Sequence, residues 1–130
     1  MADGTVESYM QVDFLALGPD LPMKQAVARL AESGSSEAPV IADDGRLLGI
    51  LTQKDCFASA LNSAYYQQWT GTVGHCMSAA VETLDAATDI VSAAERFQAL
   101  PFRAFPVTRD DEVVGMLSRA DLLTAFLALG

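Results

Sequence analysis

The chain has 130 residues, 51% hydrophobic and 19% charged, a balance that suits one packed domain or two half-domains sharing a core and argues against disorder. Its net charge is −9, and its eight basic residues split four and four between the halves without clustering. That excludes a nucleic-acid partner, because such binding rests on lysine and arginine displacing counterions.

In chain order, the start from Met1 to Tyr9 is acidic and does not read as a signal peptide. No apolar run approaches the ~18 residues of a membrane span. The two cysteines, Cys56 and Cys76, make neither a disulfide framework nor a zinc spacing. A cytoplasmic protein is expected. Met23, Ala26, Val27 and Leu30 then follow the i, i+3, i+4, i+7 stripe of an amphipathic helix, with Pro22 suited to its N1 position. Two apolar runs around Asp43-Asp44-Gly45 read as a hairpin. A second helix is expected over Phe57, Ala60 and Leu61. Asn62 to Gly74 reads as a connector, pinned to the body by Tyr65, Tyr66 and Trp69.

The same elements then recur. Pro39 matches Pro106 at a separation of 67 residues, and Gly49 matches Gly115 at 66, so the second copy is one residue shorter in its turn, at Asp110-Asp111. Upstream, Met10 pairs with Met77, and the first helical stripe pairs with Ile90, Ala93, Ala94 and Phe97. Thr88 is the candidate cap of that helix. Downstream, Phe57, Ala60 and Leu61 pair with Leu123, Phe126 and Leu127. Two helical stripes, a strand pair and a one-residue indel in the same order establish a duplication. The repeats are read as 1–66 and 67–130, each a short strand, helix, strand, turn, strand and helix. Neither half alone buries enough apolar surface to be robust, so the two are expected to pack face to face.

The repeated signature is Gly49-x-x-Thr52-x-x-Asp55 and Gly115-x-x-Ser118-x-x-Asp121, at a strand-to-helix junction. Two readings of it stand. A hydroxyl followed three residues later by an acid, just before an apolar helix, is a capping box that needs no ligand. The same geometry suits a phosphate at the helix N-terminus, with the hydroxyl donating to it and the carboxylate accepting from a ribose diol.

Pro-Val, an acidic turn, Gly-x-x-[Thr/Ser]-x-x-Asp and an upstream Val-x-x-x-Met (Val6 to Met10, Val73 to Met77) together resemble the CBS domain, twice over nearly the whole chain. The resemblance implies a mixed α/β fold. Each repeat would be a small three-stranded sheet with two helices, the two packing sheet to sheet with pseudo-two-fold symmetry into a Bateman module with two clefts. It also implies a non-catalytic regulator, commonly a homodimer, that binds an adenosine-containing ligand (AMP, ADP, ATP or S-adenosylmethionine) and requires no cofactor. By that resemblance Asp55 and Asp121 take the ribose, and Thr52 and Ser118 the phosphate. Gly49 and Gly115 allow close approach. Ala38, Phe105, Val12 to Phe14 and Ala80 to Glu82 would line the base pockets, and Lys54 and Arg119 are the candidate phosphate partners. Ala38 and Phe105 differ greatly in bulk, so the two clefts are not expected to be equivalent. The absence of a dense Arg/His cluster points to a monophosphate or a sulfonium nucleoside rather than a triphosphate. With no effector domain in these 130 residues, the output is expected in a partner protein acting in trans. The alternative is a ligand-independent dimerisation module whose motifs are only helix caps.

Catalysis finds little support. His75 is the only histidine, and no Ser or Cys nucleophile has a recognisable frame. His75-Cys76 lacks further ligands nearby in sequence. Gly71 to Gly74 fits no phosphate loop, and the acidic clusters lack the alternation of a calcium loop.

Overall fold

A computed structural model describes residues 4–79 and 81–129. The chain forms two compact units, one of residues Leu15–Val81 and the other of the residues up to Phe14 together with those from Glu82 onward. The units therefore do not follow the order of the sequence repeats. Each repeat's leading Val-x-x-x-Met segment lies in the unit built mainly by the other repeat.

In the Leu15–Val81 unit, α1 (Met23–Ser33) forms where the apolar stripe falls, and it buries Met23, Ala26 and Leu30. Pro22 is its N-cap rather than N1, one residue earlier than expected, with no side-chain cap bond. Gly34 ends the helix in the left-handed region at φ 70°, which suits a residue without Cβ. Strands β1 (Glu37–Ile41) and β2 (Leu47–Thr52) pair antiparallel with Pro39 opposite Ile50. The third strand position holds a single parallel bridge, Leu17 to Val40, so this sheet has two full strands. Helix α2 (Gln53–Tyr66) follows β2 directly and reaches well into the expected connector. Tyr65 and Tyr66, on its last turn, are 79% and 74% exposed and lie outside the core of the described residues; Trp69 alone of the three aromatics packs against the core of Leu17, Met23, Leu30, Val40 and Leu51. The short helix α3 (Val73–Cys76) completes the unit.

The other unit repeats the plan with a true three-stranded sheet. Strand β3 (Leu84–Asp85) runs parallel to β4 (Ala104–Arg109), which pairs antiparallel with β5 (Glu112–Ser118). The hairpin closes through Asp110 and Asp111, both at positive φ, between the paired Arg109 and Glu112. A two-residue hairpin turn needs that backbone at both central positions, and aspartate tolerates it better than bulkier residues. This is where the second repeat loses its residue. Helix α4 (Ile90–Ala99) is capped by Asp89, whose carboxylate accepts from the Ser92 N–H, not by Thr88. The Ser92 N–H, and after it the Ser92 hydroxyl, hold the Asp89 carboxyl below the usual range. Thr88 contributes its carbonyl instead, to the Val6 N–H at 2.9 Å. Helix α5 (Arg119–Leu129) buries Leu122 and Ala125.

Phe105 is fully buried in this core, edge-on to Phe97 at 4.7 Å and to Phe102 at 5.7 Å. The aromatic cluster has no counterpart in the first repeat, where Ala38 holds the same strand position. Phe105→Ala should therefore cost about 3–5 kcal/mol, the range for emptying a buried aromatic site. Urea unfolding followed by circular dichroism checks this; a loss below 1 kcal/mol would show that the cluster does not hold the unit together.

Candidate functional site

Both signature motifs fold into the same local structure for the same reason. A strand ends on a hydroxyl residue in extended backbone, and the next residue starts a helix whose first N–H groups lack partners. The Thr52 hydroxyl accepts from the Asp55 N–H at 3.2 Å, while Asp55 Oδ2 accepts from the Thr52 N–H at 3.0 Å. The Ser118 hydroxyl accepts from the Asp121 N–H at 3.1 Å, and Asp121 Oδ2 accepts from the Ser118 N–H at 3.0 Å. Both capping boxes are complete.

A further segment lies beside each cap. Ser78 and Ile50 exchange both backbone hydrogen bonds at 2.9 Å, and Gln11 and Met116 do the same at 2.8 and 2.9 Å. Gln11 and Ser78 each follow the methionine of a Val-x-x-x-Met element, and they are 67 residues apart. Upstream, the segments are anchored alike: Val6 N–H donates to the Thr88 carbonyl and Val73 N–H to the Leu21 carbonyl, both at 2.9 Å. An ion pair from Glu7 to Arg109 adds to the first.

The signature glycines make this approach possible. A Cβ on Gly49 would lie 2.7 Å from both the Met77 sulfur and the Ser78 carbonyl oxygen. On Gly115 it would meet the Met10 sulfur at 2.5 Å and the Gln11 carbonyl oxygen at 3.0 Å. These glycines seat protein backbone and a methionine, whatever else they admit.

The docked segments bring polar side chains onto the carboxylates. The Ser78 hydroxyl donates to Asp55 Oδ2 at 3.4 Å, and Gln11 Nε2 donates to Asp121 Oδ1 at 3.1 Å. Neither residue was among the sequence candidates, which began one residue later at Val12 and two residues later at Ala80. The signal that finds them is the repeat itself, applied to the position after each methionine. Of the flanking candidates, Val12 is exposed, Phe14 and Val81 are half-buried, and Glu82 pairs with Arg96 at 2.7 Å. Ala80 lies outside the described residues.

The remaining candidates differ in exposure and in partners. Ala38 and Phe105 are fully buried, each in the core of its own unit. Lys54 is exposed on the first turn of α2. The Arg119 Nε donates to the Phe102 carbonyl at 3.1 Å, and its side chain lines a cavity of about 620 Å³ between α4 and α5.

The electrostatics do not favour nucleophilic chemistry. Burial pushes the Cys56 thiol up, with the Asp55 charge and then Cys76 adding to it; burial and then Asp55 raise Cys76 as well. Both thiols are therefore protonated at neutral pH, and a thiol is a poor nucleophile. His75 Nδ1 lies 3.4 Å from the Thr72 hydroxyl. Among the described residues, no group of three or more His, Cys, Asp or Glu side chains is placed to hold a metal ion.

A duplicated hydroxyl–carboxylate cap, seated beside a glycine under a docked Met segment, is now fixed in both units. The CBS-domain model matches the chain twice, over residues 6–62 and 73–128. The chain belongs to the CBS-domain family. No curated protein matches its sequence. Solved structures share its fold. One is CBSX2 in complex with AMP, 24% identical, TM-score 0.85, covering 97% of this chain and 98% of that one. Another is a putative acetoin utilization protein from Vibrio cholerae, 21% identical, TM-score 0.83, covering 96% and 91%. A third is a CBS-domain pair in complex with 5′-methylthioadenosine and S-adenosyl-L-methionine, 18% identical, TM-score 0.78, covering 97% and 98%. Among the described residues of this CBS protein, no helix is long and apolar enough to cross a membrane.

If Gly49 is reserved for the methionine segment, Gly49→Ala must push the Ser78 backbone away. It should cost about 1–3 kcal/mol, as other overpacked sites do. Gly18→Ala, whose Cβ would meet nothing within 4 Å, serves as the control. Equal urea midpoints for the two variants would refute the role given to Gly49.

Proposed function

We propose that this CBS protein is a non-catalytic regulatory module that binds an adenosine-containing ligand and passes its occupancy to a partner protein in trans. The observation that carries the reading is the way Asp55 divides its oxygens. Oδ2 accepts from the Thr52 N–H and the Ser78 hydroxyl, while Oδ1 has no protein partner among the described residues. A helix cap uses one oxygen. The other is available to a ribose hydroxyl, at a helix end where the Thr52 hydroxyl proton can turn toward a phosphate. The AMP and S-adenosyl-L-methionine complexes of proteins with this fold support the ligand class. AMP and S-adenosylmethionine are favoured over ATP, because Lys54 is the one basic residue on the first turn of α2 and Arg119 is engaged with the Phe102 carbonyl.

A homodimer belongs to the same proposal. Phe57 and Leu61 on α2, and Leu123 and Leu127 on α5, are exposed although the helices carry them at regular spacing. A second copy covering these stripes would remove that apolar surface from water. The same faces favour the second reading, an interaction module without ligand, since both capping boxes are complete as they stand.

Thermal shift separates the two readings. AMP or S-adenosylmethionine at a hundred times its dissociation constant should stabilise the protein by about 2.7 kcal/mol, several degrees at this size. Asp55→Asn should reduce that shift while leaving the unliganded midpoint nearly unchanged. If none of AMP, ADP, ATP, S-adenosylmethionine, NAD or cyclic dinucleotides moves the midpoint, the ligand-free module is the better reading.

Sedimentation velocity tests the dimer. The unmodified chain should run as a dimer, and Phe57→Asp with Leu123→Asp should run as a folded monomer. A monomeric unmodified chain would sink the assignment of these stripes.

A further inference from the structure

The two carboxylates of the repeated motif are equivalent in sequence but not in what they have left to offer. Asp55 Oδ1 carries no hydrogen bond among the described residues, whereas Asp121 Oδ1 already accepts from Gln11 Nε2 at 3.1 Å. The difference arises at one pair of equivalent positions. The short serine at 78 donates at 3.4 Å to the oxygen that the cap already uses, and the longer glutamine at 11 extends to the second oxygen. Each backbone is held in place by its paired bridge to Ile50 or Met116, so side-chain length decides which oxygen is met. Gln11 is exposed, and among the described residues nothing else holds its amide.

We infer that Gln11 is a specificity residue that makes the two ligand sites unequal. Its amide stands in for the ribose hydroxyl at Asp121, so a nucleoside binds readily at Asp55 and at Asp121 only by displacing Gln11. This inference rests on the nucleoside reading and adds to it an order of filling and the residue that sets it. Displacement exchanges one hydrogen bond to a carboxylate for another, and the Gln11 side chain swings into solvent without disturbing the Met116 bridge, which uses backbone atoms alone. The inequality thus arises at the residue after each methionine and does not need the difference between Ala38 and Phe105.

The test uses AMP as probe and isothermal titration calorimetry on the full chain. Asp55→Asn leaves the Asp121 site to be read alone, and adding Gln11→Ala to it should tighten AMP about three- to ten-fold, the net value of one ordinary solvent-exposed hydrogen bond. Conversely, Asp121→Asn isolates the Asp55 site, and adding Ser78→Gln should weaken AMP there by a similar factor. Unchanged affinities in both pairs would overturn the role of Gln11 while leaving the nucleoside reading intact. Failure of every form to bind AMP would instead overturn the nucleoside reading at these sites, and the order of filling with it. The contact itself has a ligand-free readout: in the apo protein, Asp121→Asn should move the Gln11 side-chain amide resonance. An unmoved resonance would also overturn the inference.

Discussion

The contact on which the rest of this structure depends is the seating of a methionine against a glycine on a strand. Gly49 and Gly115 lie where any Cβ would collide with the Met77 or Met10 sulfur and with the following backbone carbonyl. Because there is no side chain, the leading segment of each repeat comes close enough to exchange two backbone hydrogen bonds with Ile50 or Met116. Those bonds satisfy strand groups that would otherwise need another partner, so the approach stabilises the sheet edge as well as the segment. They also place one chosen residue, Ser78 or Gln11, beside the carboxylate that begins the following helix. Core, sheet edge and candidate site thus share one constraint.

The helix caps show how a structural device can leave atoms of the same residues uncommitted. A capping box satisfies two backbone donors with one hydroxyl and one carboxylate oxygen. It leaves the hydroxyl proton and the second carboxylate oxygen uncommitted. The structural and functional readings of Thr52–Asp55 are therefore not competitors over the same oxygen. They compete at Ser118–Asp121, where Gln11 takes the second oxygen.

Duplication has not produced equivalence in the cores either. Phe105 anchors an aromatic cluster with Phe97 and Phe102, and the Arg96 guanidinium lies 5.4 Å from its ring centroid. Ala38, its counterpart, fills no such role. The first repeat's sheet has a bridge where the second has a strand, and its hairpin turn relies on Gly45 at φ 89° where the second uses two aspartates. The helix faces that remain alike are the exposed ones. Phe57 and Leu61 match Leu123 and Leu127 in position, and all four are exposed.

The sequence by itself determined the duplication, the order of elements within it, the one-residue shortening of the second turn and the chemistry of the caps. All of these rest on local period, turn residues and spacing, and local rules act through neighbours in the chain. It also carried the family, because Gly-x-x-[Thr/Ser]-x-x-Asp recurs in register with Pro-Val and Val-x-x-x-Met. Local rules misplaced the cap of α4, where Thr88 and Asp89 are both competent and only the backbone path selects Asp89. They also took Tyr65 and Tyr66 for anchors, although the helix runs on and leaves both in solvent. Which compact unit each leading segment joins was decided only in three dimensions, since a backbone bridge between Gln11 and Met116 spans most of the chain and leaves no periodic trace. The division of the carboxylate oxygens followed from that. At Asp121, Gln11 takes the second carboxylate oxygen, because the bridge holds it one side-chain length away.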